Sequence, residues 1–133
     1  MCGAVRYRVE GPLRELLVCH CVNCRRQTGR GWPATAARRS DLTVQGEVTW
    51  APSPGSAYGA RRGFCAACGT ALFWEAPDRD TVSIGAGTLD EPDALEVAAH
   101  VWHAGAPPWD AAPPGIPAHA GAYPADAPPL RWG

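Results

Sequence analysis

Six cysteines in a few tight motifs constrain this chain more than any other feature. Cys19-His20-Cys21-Val22-Asn23-Cys24 is a C-x-C-x-x-C cluster. Cys65-Ala66-Ala67-Cys68 is a C-x-x-C pair followed by Gly69, and Cys2 stands apart. A C-x-x-C turn lets two sulfurs converge on one ion at about 2.3 Å. A lone C-x-x-C is a weak signal, because a redox dithiol has the same spacing. Two such units about 40 residues apart, one of them extended by a third cysteine, point to zinc. The cluster spacings of iron–sulfur proteins are not matched.

Six ligands do not divide into two closed sites of four. Cys19, Cys21 and Cys24 form one local trio, which leaves a fourth position open, as in catalytic zinc sites. Cys2, Cys65 and Cys68 form a second group, one ligand short of a tetrahedron. His20 is the nearest other ligand type, but neighbours at a strand end point to opposite sides. It is expected to face away from Cys19 and Cys21.

The chain is expected in the cytoplasm, where thiols stay reduced and clustered cysteines bind metal rather than forming disulfides. Cys2 follows Met1 directly, and Arg6 and Arg8 interrupt any apolar run. No stretch approaches the roughly 20 apolar residues of a membrane span. A formal net charge of -1 removes any bulk electrostatic reason to bind nucleic acid or an anionic membrane. Every basic residue is Arg, so a lysine Schiff base is excluded.

The 133 residues suit one domain, and 46% hydrophobic residues suffice for a core. Short strands are expected at Ala4 to Val9, Leu16 to Val18, Leu42 to Trp50 with a turn at Gly46, Thr70 to Trp74, Thr81 to Ile84 and Leu95 to Trp102. A helix of one or two turns is expected after Cys24. If Leu95 to Trp102 is extended, His100 and His103 fall on opposite faces. Trp50, Phe73 and Trp102 read as core. Eight of the 14 prolines fall from Pro107 onward. Such a tail cannot pair as a central strand and should run extended over the surface, pinned by burial of Trp109 and Trp132.

Cys2-Gly3-Ala4-Val5-Arg6-Tyr7, Cys19 through Gly29, and Phe64-Cys65-Ala66-Ala67-Cys68-Gly69-Thr70-Ala71-Leu72-Phe73 together resemble the glutathione-dependent formaldehyde-activating enzyme family. That family shares its domain with centromere protein V. Thr88-Leu89-Asp90-Glu91-Pro92, His100-Val101-Trp102 and Trp109 continue the pattern in order. The resemblance covers residues 1–110 and leaves 111–133 as a Pro/Ala/Gly-rich tail. It implies a mainly β, β-tent-like zinc domain of stacked antiparallel sheets. It implies a catalytic zinc on Cys19, Cys21 and Cys24, and a structural zinc on Cys2, Cys65 and Cys68. The first cysteine of the family's N-terminal C-x-C has its place before Met1. Either the true start lies upstream or another group supplies the fourth ligand.

The activity implied is that of a zinc-dependent carbon–sulfur lyase, joining or cleaving a small thiol, glutathione or similar, and formaldehyde or a related aldehyde. Glutathione carries two carboxylates, which Arg side chains would hold. Arg25 and Arg26 are the first candidates, and Arg61 and Arg62 also lie close to cysteines in sequence. The alternative on the same domain is a non-catalytic, zinc-stabilised binding module of the centromere protein V type. The partners expected are small molecules, and oligomeric state stays open between monomer and homo-oligomer.

Overall fold

The computed structural model describes residues 1–133. Nine strands and one short helix follow in the order β1 (Arg6–Val9), β2 (Leu16–Cys19), α1 (Val22–Thr28), β3 (Trp32–Arg38), β4 (Leu42–Gln45), β5 (Thr49–Pro52), β6 (Arg61–Phe64), β7 (Ala71–Glu75), β8 (Thr81–Gly85) and β9 (Val97–Val101). Seven strands form one sheet in the order β5-β6-β7-β8-β3-β2-β9. β1 and β4 form a separate antiparallel ribbon. Every pairing is antiparallel except β2 with β9, so the expectation of antiparallel sheets holds with one parallel edge. No helix is long and apolar enough to cross a membrane.

The large sheet is covered on both faces. On one face Ala37, Phe73, Val82 and Ile84 pack under Tyr7 and Val9 of β1 and Leu42 of β4. On the other, Trp32 and Ala34 pack with Cys24 of α1. Successive side chains of a strand point to opposite faces. Phe73 therefore sits under the ribbon while its neighbour Trp74 packs toward Cys24.

Two strands escaped the sequence reading. β3 contains Pro33 and three alanines, a composition poor in β-formers. It is nonetheless central, between β8 and β2, because small side chains let covering layers approach on both faces. Pro33 is tolerated because pairing with β8 begins only at Ala34↔Gly85. β6 is only four residues long and contains a glycine. The stretch Leu42 to Trp50 is not a hairpin around Gly46. β4 pairs with β1 and β5 with β6, so the chain changes sheets there.

The tail is held differently from expectation. Trp109 is 70% exposed and Trp132 41%, so neither ring buries to pin it. Main-chain hydrogen bonds do that work instead. Leu13 N–H donates to Gly133 O at 2.9 Å, and Trp102 N–H to Gly121 O at 2.7 Å. His100 forms a parallel bridge with Ala118 along the outer edge of β9. Arg131 pairs with Glu15 and Glu96.

Candidate metal centres

The cysteines gather as two trios on opposite faces of the large sheet. In each trio the three sulfurs lie within 4.8 Å of one another. Cys24 belongs to the core under α1, and Cys65 to the core under the β1–β4 ribbon. All six thiols are free.

The first trio is built by the end of β2 and the start of α1. Cys19 closes the strand, and Cys21 is the N-cap of α1, its Sγ accepting from Cys24 N–H at 3.4 Å. The helix thus begins two residues before Cys24 rather than after it. Gly29 ends α1 at φ 84, the left-handed conformation typical of a helix C-cap. Cys21 is held well below the ordinary thiol range by side-chain hydrogen bonds from Cys19 and then Cys24. Cys19 is pushed up by bonding to Cys21 first, then Cys24, and by burial.

The second trio sits where β6 turns into β7, with Cys2 reaching in from before β1. Cys2 Sγ lies 3.7 Å from Cys65 Sγ. Gly69 has φ 78, and its N–H closes the turn onto Cys65 O at 2.7 Å. Cys68 lies at about 6, below the ordinary thiol value, because Thr70 hydrogen-bonds its sulfur.

These donor sets fit zinc. Four sulfurs at about 2.3 Å from a shared tetrahedral ion would stand about 3.8 Å apart. The 3.7 Å spacing of Cys2 and Cys65 matches that edge and far exceeds a disulfide bond of about 2.05 Å. Either trio can hold one metal ion.

Of the arginines near the cysteines in sequence, Arg62 is the one that reaches a sulfur. Its two terminal nitrogens each lie 3.6 Å from Cys24 Sγ. Arg62 pairs in register with Trp74, whose side chain packs on the Cys24 face. Arg61, one residue earlier, points to the opposite face, where it pairs with Glu75 and covers the Trp50 ring. Arg26 lies exposed on α1 and Arg25 half-buried beside it. A cleft of about 400 Å³ runs past α1, lined by Gln27, Thr28, Arg30, Trp32, Gly69 and Thr88 among others.

His20 faces away from the trio, as strand geometry predicts, and enters a buried polar cluster. Its Nε2 lies 2.7 Å from His100 Nδ1, and the rings stack with centroids 5.0 Å apart. His103 joins from the same side, although strand alternation carried on to it would have put it on the face opposite His100, because β9 ends at Val101. The chain leaves the strand at Trp102, which adopts φ 53 and is 48% exposed rather than core, and this turn brings His103 round. Burial pushes both His20 and His100 below the ordinary histidine range. Asp110 completes the cluster. It accepts from Gly31 N–H at 2.5 Å and from Arg30 at 2.6 Å, and stands 3.6 Å from His20 Nδ1. Burial alone would raise the Asp110 pKa, but the Gly31 N–H and the Arg30 charge outweigh it and the carboxyl lies below its usual value. Nothing local in the sequence ties Asp110 to Arg30 and Gly31, about eighty positions earlier.

Comparison with known proteins agrees with this architecture. A crystal structure of a Rhodobacter sphaeroides protein superposes with a TM-score of 0.55 at 24% identity, covering 89% of this chain and 94% of that one, which shows a shared fold. No curated protein matches the chain. The model of the glutathione-dependent formaldehyde-activating enzyme family matches residues 1–105, which include both cysteine trios, and the chain belongs to that family.

Proposed function

We propose that this protein is a zinc-dependent carbon–sulfur lyase that joins or cleaves a small thiol, glutathione or similar, and formaldehyde or a related aldehyde. The observation that carries it is the convergence of Cys19, Cys21 and Cys24 in a chain of this family. These three would hold the catalytic ion, and Cys2, Cys65 and Cys68 a structural one. Bound there, zinc supplies a Lewis acid that keeps a substrate thiol ionised near neutral pH.

The chain's own residues account for the rest. Addition forms one carbon–sulfur bond as the carbonyl π bond opens onto oxygen; the thiol gives up its proton and the oxygen gains one, giving a hemithioacetal. Arg25 and Arg26 on α1 stand on the element that carries Cys24 and would hold substrate carboxylates. Trp32 and Ala34 pack against Cys24 and fix its place in the core. The gathering of all six cysteines into metal-ligand trios supports a cytoplasmic setting. A near-neutral chain supports small-molecule partners over nucleic acid.

Metal analysis comes first, with about one to two zinc ions expected per chain. Titration calorimetry of the zinc-loaded protein should then show glutathione binding. Exchange NMR should show faster formation and breakdown of the glutathione–formaldehyde adduct. Zinc without either response would leave the non-catalytic binding module as the better account.

A further inference from the structure

Arg62 is a buried cation without a carboxylate partner. The residue is 7% exposed. Its Nε donates to Ser53 Oγ at 3.0 Å and its Nη1 to Gln27 Oε1 at 3.0 Å, both neutral acceptors. It takes part in none of the chain's ion pairs. A guanidinium stays charged in proteins, and a buried charge is costly unless something balances it. The one contact able to carry negative charge is Cys24 Sγ, met by both terminal nitrogens at 3.6 Å.

We propose that Arg62 balances the charge of the Cys19, Cys21 and Cys24 site and thereby sets its preference for an anionic fourth ligand. The inference rests on the thiol chemistry proposed above. Three thiolates around a divalent cation sum to a charge of about -1, and a fourth thiolate brings about -2. The Arg62 charge returns that total to about -1, so an entering thiolate meets less repulsion. A neutral ligand gains nothing comparable. Arg62 is a positioning residue, acting through Cys24 and the local field rather than by touching substrate. The one guanidinium reaches Ser53, Gln27 and the Cys24 sulfur together, which fixes its charge beside the site.

The test uses the full chain loaded with cobalt(II), titrated with glutathione, with 2-mercaptoethanol and, as a neutral ligand, with imidazole. The readout is the thiolate-to-cobalt charge-transfer absorption, with Cys24→Ser supplying the background from the second trio. In Arg62→Gln, thiol affinity should fall by about tenfold or more while imidazole affinity stays within about threefold. Arg62→Lys keeps the charge and should hold thiol affinity within about threefold of the wild type. Unchanged thiol binding in Arg62→Gln overturns the proposal, and so does equal weakening of thiols and imidazole. If Arg62→Gln does not fold, Gln27→Glu places a carboxylate on Arg62 Nη1 and cancels its charge in place: thiol affinity should then fall by about tenfold with imidazole unchanged, and unchanged thiol binding overturns the proposal. A wild-type protein that takes up cobalt but shows no thiol-dependent change overturns the thiol chemistry itself. Losses confined to the variants bear on Arg62 only.

Discussion

Asp110 joins three parts of the chain with one carboxylate. It binds Gly31 and Arg30 ahead of β3 and faces the His20 ring between two cysteines of the first trio. Replacing it by Asn keeps the shape and removes the charge opposite Arg30. We expect Asp110→Asn to cost about 1–3 kcal/mol near neutral pH. Its folded pKa lies below the ordinary value of 3.8, so its contribution is complete above that value and fades as pH falls through the folded one. The stability gap between wild type and variant should therefore be flat above about pH 5 and narrow toward about pH 3. Denaturant unfolding at several pH values measures it. A gap independent of pH would assign the effect to shape rather than charge.

The short elements owe their positions to turns that carry the cysteines. The β6–β7 turn brings Cys65 and Cys68 together only because Gly69 adopts φ 78. A methyl group there would meet nothing within 4 Å, so the cost of Gly69→Ala is conformational alone. We expect about 1–2 kcal/mol, seen in thermal unfolding of the zinc-loaded protein, with the zinc of the first trio retained. Equal stability of the variant would mean that the turn tolerates another backbone path. The cysteine motifs were legible in sequence because a C-x-x-C pair is local. β6 was not legible, and with it went the parity that sends Arg62 to the site and Arg61 away from it. Four residues with a central glycine carry too little pattern to read.

For the molecule as a whole, the Pro-rich tail closes an edge. β9 ends the seven-stranded sheet, and the segment around Ala118 bonds along its open side. The last residues return to Leu13 and Glu15 ahead of β2. A chain ending at Pro113 should melt at lower temperature and scatter light increasingly with concentration, because an unpaired strand edge pairs with other chains. A truncated protein with the assembly state and stability of the full chain would show the tail to be dispensable.

The cysteine motifs and the strand-rich character follow from sequence, because each rests on neighbours within a few residues. The two-faced burial of alanine-rich β3, the parallel edge at β9, the His20–His100–Asp110 cluster and the approach of Arg62 to Cys24 belong to tertiary structure. They depend on register between strands far apart in the chain. A shift of one residue would turn Arg62 to the opposite face and leave the first trio without its cation.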